Sequence, residues 1–68
     1  MKDATHVLLL GDLPEGRRVK VARIVQDLRQ VDVAAHANVS VNLVGALERG
    51  WRVNEKARRA ILAVVGLE

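Results

Sequence analysis

Two short helical segments separated by only three residues constrain this chain more than any other feature. Residues 30–37 are alanine-rich and place Val33, Ala34 and Ala37 on one side, the inward face of a short helix. Asn38 is among the few non-glycine residues that accept a left-handed conformation, so it closes that helix. Ser40 is a good N-cap for a further helix over 41–49, in which Val44 and Leu47 lie three apart and face the core. Gly50 stands where that helix must end. A connection as short as 38–40 forces neighbouring helices into a steep crossing, and small residues such as Ala34 and Ala37 permit close packing there.

The flanking segments read as helices too. Asp12-Leu13-Pro14-Glu15 has the form of a helix start, with Asp12 as cap, Glu15 at capping-box spacing and proline in the first turn. Behind it Val21, Ile24, Val25 and Leu28 follow the i, i+3, i+4, i+7 pattern, which predicts a helix over 13–28 with that face inward. Trp51 to Val53 forms a connector, with Trp51 expected as a core lid or a backbone-facing plug, the alternative being an intercalating wedge. Asn54 then caps a last helix over 55–65, with Ala57, Ile61 and Val64 as its inner stripe and Gly66 at its end. Leu62 and Val65 lie beside that stripe and are expected to be half-buried, on the face where a dimer contact would be sought. Residues 5–10 are β-rich, fitting either a flexible arm or an edge that pairs with its counterpart in a dimer.

A chain of 68 residues makes one compact domain, divided here into an N-terminal arm, 1–12, and a helical body, 13–68. It has no cysteine, so neither a disulfide nor a thiolate metal site supports a thin core. The N-terminus shows no secretory signal, and the apolar run 7–10 is too short to cross a bilayer, so the expected compartment is the cytoplasm. The formal net charge of +3 is unevenly spread. Residues 17–59 hold ten basic side chains against four acids, whereas the first sixteen carry Lys2 against Asp3, Asp12 and Glu15. That balance suits a polyanionic partner, and equally a solvated surface. Trp51 is the single aromatic residue, too few for a single-strand binder that stacks bases on aromatic platforms.

The stretch from Gln30 through Ala34, the turn Ala37-Asn38-Val39-Ser40, then Val44 and Leu47-Glu48-Arg49-Gly50, resembles the helix-turn-helix of the Cro/cI (XRE-type) phage-repressor family. The resemblance runs without a gap from about Arg18 to Val53. It implies a compact all-α, four-helix, λ-repressor-like domain, with a fifth helix common in the family. It also implies a double-stranded DNA-binding transcriptional regulator, such as a phage or mobile-element repressor, acting as a homodimer. The helix over 41–49 would enter the major groove, and the two copies in a dimer would reach successive grooves about 34 Å apart.

Carried over by position, Val41, Asn42 and Ala46 would face base edges. An asparagine amide pairs with both N6 and N7 of adenine, and the two apolar residues suit thymine methyl groups. Gln30, at a helix N-terminus, would stand near a phosphate. Arg49, Arg52 and Lys56 would meet further phosphates, with Arg17, Lys20 and Arg29 as additional candidates. Arg23 and Glu48 match positions that pair in the family, implying a structural ion pair between the first helix and the end of the recognition helix. The alternative is two independent surface charges.

The chain departs from the family at several points. Its recognition segment has Val41, Leu43, Gly45 and Ala46 where polar side chains are usual, and Gly45 lowers helix propensity, which suggests a close approach by DNA backbone or another helix. Arg29 replaces a usual capping Ser or Asn. These departures keep a second reading open, a helix-turn-helix module used for protein contact as an adaptor. His6 and His36 lack second ligands, and Ser40 has neither base nor orienting acid beside it. No catalytic constellation, cofactor motif, metal cluster or small-molecule site is expected.

Overall fold

Among the described residues four helices end in the same way, and that repetition sets where the next one begins. The computed structural model describes residues 12–68; the arm 1–12 therefore falls almost wholly outside the described residues, as does His6. Four helices follow in order: α1 (Glu15–Val25), α2 (Gln30–Ala37), α3 (Val41–Glu48) and α4 (Glu55–Val65). After each, one residue turns left-handed: Asp27, Asn38, Gly50 and Gly66, with φ of 65°, 58°, 86° and 85°. The next amide reaches back to close the last turn. Leu28 N donates to Arg23 O, Val39 N to Ala34 O, Trp51 N to Ala46 O and Leu67 N to Leu62 O, all between 2.9 and 3.0 Å. The six-residue closure satisfies carbonyls that the helix leaves open, and an apolar residue customarily follows the left-handed one.

The starts are capped less uniformly. Ser40 Oγ accepts from Leu43 N at 3.3 Å, and Asn54 Oδ1 from Ala57 N at 2.8 Å, as the sequence predicts. Asp12 does not cap α1. The N-cap position is Pro14, without a side-chain hydrogen bond. Glu15 instead turns to α4, where Arg58 Nε and Nη2 donate to its two oxygens at 2.7 and 2.8 Å. The predicted box at 12–15 therefore yields to a tertiary ion pair, which closes the bundle between its first and last helices.

The core is built from Val19, Val33, Ala34, Val44, Leu47, Ile61, Leu62 and Val65. Val33, Ala34, Val44, Leu47, Ala57 and Ile61 are buried as the sequence periodicity requires. Leu62 and Val65 are more deeply placed than expected, only 5% and 3% exposed, so they are core residues and offer no surface for a dimer contact.

The inner face of α1 is also corrected. Ile24 and Val25 are exposed, at 54% and 69%, and Gly16 and Val19 are buried in their place. Two residues fix this rotation. Gly16 lies against the end of α3 so closely that a Cβ would overlap the Leu47 carbonyl oxygen. One turn-pair later, Arg23 must reach Glu48. A face running through 16, 19 and 23 leaves Ile24 and Val25 on the outside, whatever their hydropathy. Among the described residues no helix is long and apolar enough to cross a membrane.

Two glycines on helices should answer alanine substitution in opposite directions. Gly16→Ala drives a methyl into backbone and is expected to destabilise by about 2 kcal/mol. Gly45→Ala meets only the Arg49 guanidinium and the Gln30 side chain, at 3.4 Å or more. It should stabilise by about 1 kcal/mol through helix propensity. Thermal melts of the two variants read both signs. A second expectation concerns pH. The Arg58 hydrogen bonds hold the Glu15 carboxyl below its ordinary value of 4.5. Its contribution is then complete above that value and is lost as the pH falls through the lower, folded one. Glu15→Gln should lower the melting temperature at pH 7, with the difference from the parent chain closing as the pH approaches about 2.

Candidate nucleic-acid interface

The helix α3 divides its residues between a buried and an open side. Val44, Gly45, Leu47 and Glu48 are buried, whereas Val41 and Asn42 are exposed at its first turn and Ala46 is half-buried. The short turn 38–40 sets this division. The left-handed Asn38 reverses the chain, Val39 packs on the core, and Ser40 restarts a helix with its Oγ. The three sequence-predicted base-facing residues therefore lie on one helix, with Asn42 as the single hydrogen-bonding side chain among them.

At the opposite end of α3, Glu48 forms a buried polar junction. Arg23 Nε donates to Glu48 Oε2 at 2.6 Å and Arg23 Nη2 to Oε1 at 3.1 Å. The third nitrogen, Nη1, donates to the carbonyl of Leu28 at 2.9 Å. The ion pair expected from Arg23 and Glu48 is thus present and bidentate, with side chains only 11% and 4% exposed. Burial of this kind is sustained because every donor facing the carboxylate is matched.

Gln30 belongs to the same junction. Its Nε2 donates to Glu48 Oε1 at 3.0 Å, so its side-chain donor is committed within the domain and only its place at the α2 N-terminus matches the phosphate role expected for it. Arg29 is likewise engaged. Asp32 accepts from the Arg29 backbone N–H at 2.8 Å and from its guanidinium at 3.2 Å. The side-chain bond from Arg29 draws the Asp32 carboxyl below its ordinary range. Asp32 thus makes the return half of a capping box, accepting from the N-cap amide, while the arginine at the cap position offers no side-chain acceptor to the amides of the first turn.

The remaining basic candidates are spread over three concavities. Arg17 and Lys20 of α1 line one concavity with Arg49. Arg52 lies on a separate cleft between the α3–α4 connector and the start of α1, and Lys56 on a shallow groove with Asn38, Val39 and Leu43. Leu43, without an evident role in the sequence, is half-buried in that groove against α4.

Trp51 departs most from expectation. It is no core lid: 62% of it is exposed, and the Arg49 guanidinium carbon stands 4.8 Å from its ring centroid. Gly45 faces the same arginine. A Cβ there would lie 3.4 Å from Arg49 Nη1, so the close neighbours of Gly45 are the Arg49 and Gln30 side chains. No signal in the sequence separates Trp51 from Leu28, Val39 and Leu67, which occupy the equivalent position after the other helices and pack inward.

The junction at Glu48 makes an asymmetric prediction. Glu48→Ala leaves Arg23 buried without its partner and should cost about 3 kcal/mol or more. Arg23→Met combined with Glu48→Leu should cost much less than the sum of the single changes, because apolar packing replaces the whole pair. Denaturant unfolding of the three variants measures the coupling.

In comparisons with known proteins, the chain matches no family model, no curated protein and no solved structure.

Proposed function

We propose that this chain is a sequence-specific, double-stranded DNA-binding transcriptional regulator that places α3 in the major groove. The observation that carries the proposal is the division of α3. Its first turn offers Val41 and Asn42 to solvent beside a three-residue turn, while its last turn is anchored by Glu48 to both α1 and α2. A helix presented at its N-terminal end and fixed at its C-terminal end has the form that groove recognition demands.

Base discrimination then rests on Asn42 toward adenine and on Val41 and Ala46 toward thymine methyl groups, with Arg17, Lys20, Arg49, Arg52 and Lys56 supplying charge toward phosphates. The same reading extends to a homodimer on two half-sites and to a repressor of phage or mobile-element type. A second reading has its own observation. Ile24, Val25 and Val31 are large apolar residues left exposed around the α1–α2 connection, which favours a protein-contact module.

Selection from random duplex DNA at moderate salt separates the two. The DNA reading expects one enriched sequence, and binding through about five phosphates should weaken by two to three orders of magnitude from 50 to 200 mM salt. Asn42→Ala should relax the base preference at one position by roughly 1–3 kcal/mol. Enrichment of no duplex, together with salt-insensitive capture of a protein, would instead support the contact module.

A further inference from the structure

Three of the four helix closures bury the residue that follows the left-handed position, and one does not. Leu28, Val39 and Leu67 pack against the core, whereas Trp51, the largest and the single aromatic side chain of the domain, stays outside. An indole left in water forfeits the burial that the other three closures gain. Its surroundings are specific. Arg49 stacks over the ring, and the two border a concavity between α1 and the end of α3 together with Leu13, Val21, Arg17 and Lys20.

The charge of this concavity is one-sided. The one carboxylate among its lining residues is Glu48, and both its oxygens are already taken by Arg23 and Gln30. Arg17, Lys20 and Arg49 form no salt bridge to any described residue, in contrast to Arg29, Arg58 and Arg59. Arg49 is also pre-positioned, since its guanidinium carbon stands 4.8 Å from the Trp51 centroid and its Nη1 would meet a Cβ at Gly45 at 3.4 Å. A planar guanidinium stacked on an aromatic face keeps its edge donors free for a phosphate. Three cations lining one concavity with Leu13, Val21 and Trp51 complement a chain that alternates phosphates with apolar sugar faces.

We infer that the concavity between α1 and the end of α3 receives the sugar–phosphate backbone of duplex DNA, with Arg17, Lys20 and Arg49 on phosphates and Trp51 against deoxyribose. The inference rests on the DNA-binding reading and deepens it. It assigns Trp51 a contact that is independent of base sequence and draws α1 into the interface. Sequence-independent contacts of this type position a protein on the duplex rather than specify the site.

Because Trp51 is the chain's only tryptophan, its emission reports on this concavity and on the adjoining cleft of Arg52, and the Arg17 and Lys20 variants tell the two apart. The test titrates the full chain with dye-labelled duplex of mixed sequence at low salt, following DNA anisotropy and Trp51 emission together. Emission is expected to change in step with anisotropy. In the Arg17→Ala/Lys20→Ala double variant, the slope of log affinity against log salt should fall by about 1.8. Trp51→Leu should weaken every duplex by the same factor, leaving the sequence preference unaltered. If anisotropy saturates while emission and slope stay unchanged, DNA lies elsewhere on the domain and the inference is overturned with the DNA reading intact. If no duplex raises the anisotropy at low salt, the DNA reading fails and the inference fails with it.

Discussion

The Glu48 carboxylate is the point on which the arrangement of helices depends. It stands at the end of α3, accepts two hydrogen bonds from Arg23 of α1 and one from Gln30 of α2, and is almost wholly removed from water. Removing such a group from water is costly, and the cost is met only when all its partners arrive together. A rotation of α1 or a slip of α2 would leave charge buried and unmatched. The junction is therefore better understood as a device that specifies position than as a source of net stability. Its effect is to hold the C-terminal end of α3 while the N-terminal end remains open.

Gly16 supplies the complementary constraint. The polar junction draws α1 toward α3, and the absence of a side chain at residue 16 lets the two backbones meet. The consequence is visible on the opposite side of α1. Ile24 and Val25 are carried outward by the rotation that satisfies Gly16 and Arg23. An exposed apolar pair on a small domain is thus produced by the demands of the core, and its availability to a partner follows as a secondary effect. The same logic applies at Leu62 and Val65, which are buried in a bundle where the last helix packs on both α2 and α1.

Helix endings give the domain its economy. Four left-handed residues and four returning amides end the four helices α1–α4 within a few residues, so the described residues accommodate them and still bury a core. The closures also direct the residue that follows each of them. Where it turns inward it enlarges the core, and at Trp51 it turns outward, beside three cations without acidic partners among the described residues.

Much of the fold was legible in the sequence because it depends on local rules. Asn38, Ser40, Gly50, Asn54 and Gly66 act through their own backbone preferences and side-chain reach, and Val33, Val44, Leu47 and Ile61 follow helical spacing. The α2–turn–α3 unit and the Arg23–Glu48 pair, the latter through its resemblance to a family pattern, were likewise readable. Tertiary structure decided the rest, and the reason is common to each case. Which face of α1 is buried, where Glu15 finds its partner, what occupies the space over Gly45, and whether Trp51 points inward are set by groups distant in the chain. Glu15 and Arg58 are 43 residues apart, and Arg23 and Glu48 are 25 apart. No periodicity within a single helix carries that information, since periodicity describes how a helix would bury itself against an unspecified neighbour. Only when α3 and α4 are in place does a carboxylate choose between capping its own helix and pairing across the bundle.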